Sequence, residues 1–263
     1  MLTPMTDAPD LVRYAFADGA ARITLTGADR GNPVEPAQID QLFAAVRRAG
    51  RDDAKVIVLD AEGRFFSVGG DLSAFHAAED TAAFIDDLAD GLHRVVSELV
   101  RSDAVVVSVV QGTAAGAGFP LAAAADVVLA ADTAKFSLAY TKVGLSPDGG
   151  SSLLVHTLGL HRVLRLALLG DLITAQEAYD AGLVARVVPA AELADAVDAV
   201  VGQLLAGSRA AQAAAKRLVR EQAVAAPEAA LRRELLSIRT LAVGADGREG
   251  IAAFLEKRPA SFS

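Results

Sequence analysis

From Ala104 to Ala125 the chain reads AVVVSVVQGTAAGAGFPLAAAA, without a single formal charge. That length meets the usual requirement for a membrane span of about 20 apolar residues. The interior does not suit one, because Gln111, Gly112, Gly116, Gly118 and Pro120 interrupt it. Acids (Asp103 and Asp126) flank it, with no adjacent Lys or Arg to orient a span. The run instead predicts a buried strand over 104–110, a glycine-rich turn, and a buried helix whose first turn accepts Pro120. The strand shows no apolar–polar alternation, so it needs apolar partners on both faces. That is the mark of a sheet covered on both sides, and it directs the chain to the α/β class with no membrane span.

The flanking segments agree. ARITLTG (21–27) alternates as a strand, and KVIVLDA (55–61) is a second, short apolar one. Between them, PAQIDQLFAAVRRAG places Ile39, Leu42, Phe43 and Val46 on one helical face, with Gly50 as the expected stop. Residues 81–101 predict a helix with Phe84, Leu88, Val95 and Leu99 near one stripe. VVLAA (127–131) and AKFSL (134–138) predict two more strands. In TAQEAYDAGLVARVV, Thr174 and Glu177 form a capping-box pattern, Gly182 ends the helix, and a strand follows. From about residue 190 onward, helical patterns dominate. Short strand–helix units recur without a fixed-period repeat.

Composition narrows the function classes. With 263 residues and 52% apolar content, the chain can build a sizeable core and is not a disordered polypeptide. Its 33 acidic against 25 basic residues give a net charge of −8, and no dense basic run offsets this, so no nucleic-acid partner is expected. The absence of cysteine excludes disulfides, thiol nucleophiles and thiolate metal sites, and suits a reducing, cytoplasmic setting. The opening MLTPMTDAPD lacks the basic and apolar regions of a secretion signal.

Two glycine-bearing loops invite a chemical reading. RFFSVGGDL (64–72) follows a strand, and Gly69 and Gly70 allow unusual dihedrals and a close approach to a ligand. A simple Gly-Gly turn capped by Asp71 explains the same residues. GTAAGAG (112–118) again sets small residues between a strand and a helix. Its glycines do not form G-x-G-x-x-G, because Leu121 stands where the third would fall, and no Lys-Ser or Lys-Thr follows for a phosphate loop. Two backbone N–H groups from such loops, converging on one carbonyl oxygen, would instead make an oxyanion site. A third stretch, VGLSPDGGSS (143–152), puts Asp148 into a Pro-Asp-Gly bend.

FFSVGGDL, QGTAAGAG, GLSPDGG, TAQEAYDAGLVARVV and the terminal EGIAAFLEKRPASF occur in the order and spacing of the crotonase, or enoyl-CoA hydratase/isomerase, superfamily. The chain resembles that family over nearly its whole length. The resemblance implies a spiral of strand–strand–helix units over residues 1–195 and a C-terminal helical trimerisation region over 196–263. It also implies a homotrimer or a hexamer built as a dimer of trimers. It implies an acyl-CoA substrate, with coenzyme A entering as part of the thioester and no tightly bound cofactor. By motif position, the oxyanion donors are the N–H groups of Gly70 and Ala117.

The departures from the pattern bear on the reaction. The two positions where family hydratases carry glutamates align with Pro120 and Tyr140, so simple hydration is not expected. GLSPDGG resembles the turn of enoyl-CoA isomerases and of ring-1,2-epoxyphenylacetyl-CoA isomerase-like members, which makes Asp148 the expected base. It would shift a double bond from the 3- to the 2-position of an enoyl-CoA. A ring-1,2-epoxyphenylacetyl-CoA isomerase-like reaction, other crotonase chemistries (hydratase, lyase or hydrolase) and a non-catalytic acyl-CoA-binding subunit are the alternatives. An apolar pocket is expected from Phe66, Phe119, Pro120, Tyr140 and Leu145, its depth set by residues 75–95. CoA contacts are expected at Arg30, Asp71, Leu72 and Lys257, although Lys257 equally reads as a solvated helix end. Ile238 stands where some relatives stack an aromatic on adenine. The four histidines, His76, His93, His156 and His161, lack metal-ligand spacing and read as surface or structural groups, and no metal is expected. Ser151 and Ser152 lack a G-x-S-x-G elbow.

Overall fold

In a computed structural model, which describes residues 10–223 and 226–262, the uncharged run folds as strand Val105–Val110, strand Thr113–Ala115 and helix Gly118–Ala123. Residues 1–9, where a secretion signal was sought, lie outside the described residues. All six residues of the first strand are buried. Val106 and Val110 join the main core, whereas Val107 and Val109 pack with Val56, Val58 and Leu129 on the other face. Helix Leu193–Ala206 closes that second face through Leu193, Val197 and Val200. Burial on both sides explains why the strand shows no alternation.

The sequence reading expected a plain turn at 111–115, and the structure has an additional strand there. Gly112 permits it, since a Cβ at that position would lie 1.9 Å from the Arg64 carbonyl oxygen. The chain therefore passes close enough to pair Thr113–Ala115 in parallel with Phe65–Ser67 and Lys135–Ser137.

Six strands form one sheet in the order Val12–Ala17, Ala20–Leu25, Val56–Ala61, Val105–Val110, Val127–Ala131, Arg186–Val188. The first pair is antiparallel and the remaining pairs are parallel. A second sheet runs Leu172–Thr174, Lys135–Ser137, Thr113–Ala115, Phe65–Ser67. A strand of the first sheet is followed three times by a short strand of the second: 56–61 by 65–67, 105–110 by 113–115, 127–131 by 135–137. This recurring step is the expected spiral.

Helices Pro36–Arg51 and Thr81–Arg101 bury the predicted stripes, with Ile39, Leu42, Val46, Leu88, Val95 and Leu99 all inside. Gly50 does not stop the first of them. The helix continues to Arg51, and the left-handed residue after it is Asp53 at φ 59°, so the reversal uses an aspartate rather than the glycine. The capping box at Thr174 and Glu177 is present in both directions.

The acids flanking the uncharged run have partners on one C-terminal helix, Arg209–Ala223. Arg217 reaches Asp103, while Lys216 and Arg220 both reach Asp126 at 2.8 Å. The Lys216 ammonium also donates to the carbonyls of Leu99 and Ala104. Burial pushes its pKa down, and Asp126 counteracts that. Helices Pro227–Ala242 and Ala245–Leu255 place Leu231, Ile238, Ala242 and Ile251 in the main core. Among the described residues, no helix is long and apolar enough to cross a membrane.

Position decides which ion pairs matter. Lys216→Met breaks a buried pair and is expected to cost about 3–5 kcal/mol in urea unfolding. Arg94→Met removes a pair to Asp90 in which both side chains are 62% exposed, and is expected to cost under about 1 kcal/mol.

Candidate functional site

The parallel strands Phe65–Ser67 and Thr113–Ala115 are neighbours, so the loops that follow them leave the same end of one sheet. Gly69 adopts φ 87° in the first loop and Gly116 φ 52° in the second. A Cβ on Gly69 would lie 2.9 Å from the Ala115 carbonyl oxygen and 3.2 Å from the Ala117 nitrogen. The loops therefore touch backbone to backbone, and only glycine fits at the contact. Ser67 braces the arrangement by accepting the Gly69 N–H at 3.1 Å. Gly70 and Ala117 both line one cavity of about 560 Å³. Among the described residues, the Ala117 N–H has no acceptor. Two amides on touching loops can polarise one oxygen, and the structure places Gly70 and Ala117 on the wall of the same cavity.

Asp71 caps helix Leu72–Ala77, accepting the N–H groups of Ser73 at 3.0 Å and Ala74 at 3.4 Å. The capping half of the earlier two-way reading is thus real, and the loop lines the cavity as well. Arg30 sits at the same edge, paired to Glu35 at 2.6 Å and Asp71 at 3.5 Å. It brings a guanidinium to the cavity whose charge is already shared by two acids.

On the cavity wall stands Asp148, 5% exposed, in a turn closed by Gly149 at φ 77° and Gly150 at φ 100°. Its carbonyl oxygen accepts the Ser151 hydroxyl at 2.7 Å and the Tyr140 hydroxyl at 3.1 Å. Burial, reinforced by Asp148, pushes the Tyr140 phenol well above its ordinary pKa, so it remains a neutral donor. Glu234, on helix 227–242, accepts the N–H groups of Gly150 and Ser152, each at 2.7 Å. Burial raises the Glu234 carboxyl, and the hydrogen bonds from Ser152 and Gly150 oppose that rise. The Asp148 side chain has its own partner, since His93 Nε2 lies 2.9 Å from Oδ1.

Of the two readings of His93, surface or structural, the structure removes the surface one: it is buried and bonded to Asp148. One polar atom each of His93, Asp148 and Glu234 fall within 4.8 Å of one another. The chemistry is that of a hydrogen-bonded chain. An ion would need the Nε2 lone pair that faces Asp148, and both Glu234 oxygens already hold amide N–H groups.

The cavity is otherwise apolar. Phe75, Ile85, Leu88, Ala89 and Leu92 bound it, within the 75–95 segment expected to set its depth, and Tyr140, Leu145 and Ile238 complete the wall. Leu72 lines it as expected. Three residues expected in the pocket do not line it. Phe66 and Phe119 are wholly buried in the core, Phe119 stacked on Phe136 at 5.0 Å. The Ala-rich helix packs so closely that both rings are needed as filling. Pro120 lies beneath the Asp148 turn, its Cγ 3.4 Å from where a Gly149 Cβ would stand, and borders a smaller cavity of about 130 Å³. Lys257 falls beyond helix 245–255 at φ 54°, and Phe254 and Leu255 line the cavity instead.

Sequence reasoning missed Glu234 and the bond of His93 to Asp148. Glu234 had a signal, because it interrupts the helical stripe of Leu231, Leu235 and Ile238 with a charge on the buried face. His93 had a weaker one, a polar residue between the buried Leu92 and Val95.

The sequence profile of the family described as enoyl-CoA hydratase/isomerase matches residues 15–263. The chain is 36% identical over 253 residues to a protein of Rhodobacter capsulatus named probable enoyl-CoA hydratase, covering 96% of this chain and 97% of that one. It is 33% identical over 251 residues to the 1,2-epoxyphenylacetyl-CoA isomerase of Escherichia coli, covering 93% and 95%. A crystal structure of an enoyl-CoA hydratase from Mycobacterium avium subsp. paratuberculosis superposes with a TM-score of 0.88 at 34% identity, covering 96% of this chain and 98% of that one.

Glu234→Ala leaves the buried Gly150 N–H without an acceptor, at about 1–3 kcal/mol, and the part-buried Ser152 N–H at less, and chemical denaturation should show that loss. Burial raises the folded-state value of Glu234 above its unfolded one. Wild type should therefore lose stability as pH rises from the unfolded carboxyl range, about 4.3, through the raised folded value. Glu234→Gln should lack that slope.

Proposed function

The chain belongs to the enoyl-CoA hydratase/isomerase family, and from that premise we propose that it is an acyl-CoA isomerase that converts a 3-enoyl-CoA into the conjugated 2-enoyl-CoA. One observation carries the reading. Asp148 and Asp71 are the acids lining the cavity among the described residues, and Asp71 is occupied by its helix cap and by Arg30. That leaves a single carboxylate facing the acyl group. Adding water takes one group to activate the water and another to handle the α-proton, whereas a 1,3-proton shift needs only one.

The proposed steps balance. Asp148 takes the proton from C2, and the electron pair moves onto the thioester oxygen as a dienolate. The Gly70 and Ala117 N–H groups stabilise that oxyanion. The same carboxyl returns its proton to C4, the double bond settles between C2 and C3, and Asp148 is again ionised. The apolar wall keeps water from quenching the dienolate. CoA lies toward the edge formed by Arg30, Asp71 and Leu72, entering as part of the substrate, and no resident cofactor is involved. Lys257, outside the cavity wall in one chain, can serve CoA only from beyond that wall.

The 1,2-epoxyphenylacetyl-CoA isomerase relative supports an isomerase of this kind, and the hydratase-named relative supports water addition as the second reading. Homotrimers or dimers of trimers fit the leucines left bare at Leu168, Leu169 and Leu218. A monomer in sedimentation equilibrium would overturn that assembly.

Ultraviolet absorbance of the conjugated thioester should rise when the enzyme meets 3-enoyl-CoA. Asp148→Asn should lower kcat by about a hundredfold or more. Undiminished turnover in Asp148→Asn would remove Asp148 from the chemistry. Water addition to 2-enoyl-CoA without any positional isomerisation would favour the hydratase reading.

A further inference from the structure

The helix that walls the acyl cavity carries one buried titratable side chain that the proton transfer does not use. Leu92 lines the cavity and the next residue, His93, does not. Its imidazole is 8% exposed and lies against Asp148 Oδ1 at 2.9 Å. With the carboxylate ionised, the proton between them sits on Nε2, so the ring donates.

Everything else about Asp148 is already fixed through its main chain. Tyr140 and Ser151 hold its carbonyl oxygen, and Glu234 holds the amides of Gly150 and Ser152. The freedom that remains is rotation of the side chain itself. A base must be held within a fraction of an ångström of the proton it takes, and an unrestrained carboxylate is not. The His93 bond removes that rotation, occupies Oδ1 and leaves Oδ2 as the oxygen available to a substrate carbon.

We propose that His93 is a positioning residue for the proton transfer, one that orients Asp148 through Oδ1 and holds Oδ2 toward the substrate. The proposal rests on the reading of Asp148 as the base.

The surroundings of His93 leave this contact undiluted. The 148–152 turn presents Asp148, helix 227–242 presents Glu234, and the buried phenol of Tyr140 stays neutral. Other charges on helix 81–101 lie near the surface: Asp86 pairs with Arg239, Asp90 with Arg94, Glu98 with Arg47 of helix 36–51, Arg101 with Glu228, and Asp87 is exposed. Helix 118–123 carries no titratable group. Asp148 is therefore the partner of His93 Nε2, with Glu234 as the other carboxylate close by.

The test uses His93→Phe, His93→Gln and Asp148→Asn in the full-length enzyme, with kcat and KM measured for a 3-enoyl-CoA. His93→Phe should lower kcat about ten- to a hundredfold with KM changed less than about twofold, as expected for a misdirected base. His93→Gln keeps an N–H donor in place of the ring. It should recover most of kcat. Nitrogen-15 shifts of the imidazole should show Nε2–H in the wild type, independently of turnover.

Wild-type kcat in His93→Phe, or a His93→Gln enzyme no more active than His93→Phe, overturns the proposal, as does a neutral ring protonated at Nδ1 alone. If Asp148→Asn is inactive while His93→Phe is not, the proposal falls and the base assignment stands. Full activity in Asp148→Asn ends the base assignment itself. Should His93→Phe fail to fold, His93→Gln and the nitrogen shifts still decide.

Discussion

Two loops can aim their amides at one oxygen only if no side chain stands between them. The contact of Gly69 with Ala115 and Ala117 is that constraint, with 2.9 and 3.2 Å as the room a single added methyl would have. The two mostly parallel sheets hold this contact. Three strands of the six-stranded sheet each hand the chain to a short strand of the second, and two of those short strands end at the touching loops. Double-sided burial of Val105–Val110 then makes the platform rigid, because neither face can relax toward solvent. The uncharged run therefore anchors the core along one half and builds half of the oxyanion site along the other.

Opposite the amides, the geometry is built from distant parts of the chain. Asp148 is a turn residue whose backbone is held from helix 227–242 by Glu234 and whose side chain is held from helix 81–101 by His93. The same helix 227–242 lines the cavity with Ile238. A C-terminal helix thus both bounds the cavity and restrains the turn that carries Asp148. Burying Glu234 costs desolvation, and two 2.7 Å amide bonds offset it in a position where an apolar residue would leave those amides unpaired.

Much of the fold was legible because it rests on local signals. The valine strand, the stripes of helices 36–51 and 81–101, and the Thr174–Glu177 capping box each follow from spacing within a few residues. Gly50 misled because its end of the helix could use Asp53 for the left-handed turn, a role aspartate fills nearly as well. The extra strand at 113–115 was hidden because three residues carry no period. The loops and Asp148 were legible from motif order. Phe66, Phe119 and Pro120 were misplaced because proximity in sequence to a site residue says nothing about which way a side chain leaves the backbone. His93 and Asp148 are 55 residues apart, and no local pattern links them.

The chemistry follows from how unevenly polarity is distributed around the acyl group. One side offers fixed dipoles, the amides of two touching loops, which gain nothing and lose nothing when a proton moves. The other offers a single carboxylate whose charge changes with every transfer. A lone carboxylate in an apolar wall would swing, or draw in water, each time it became neutral. Here its main chain is pinned by Tyr140, Ser151 and Glu234, so only the side chain must answer to the change in charge, and the group it answers to is His93. Fixed dipoles on one side and a restrained carboxylate on the other are what the proposed proton shift would require: an oxyanion stabilised without reorganisation, and a proton held where it can be returned.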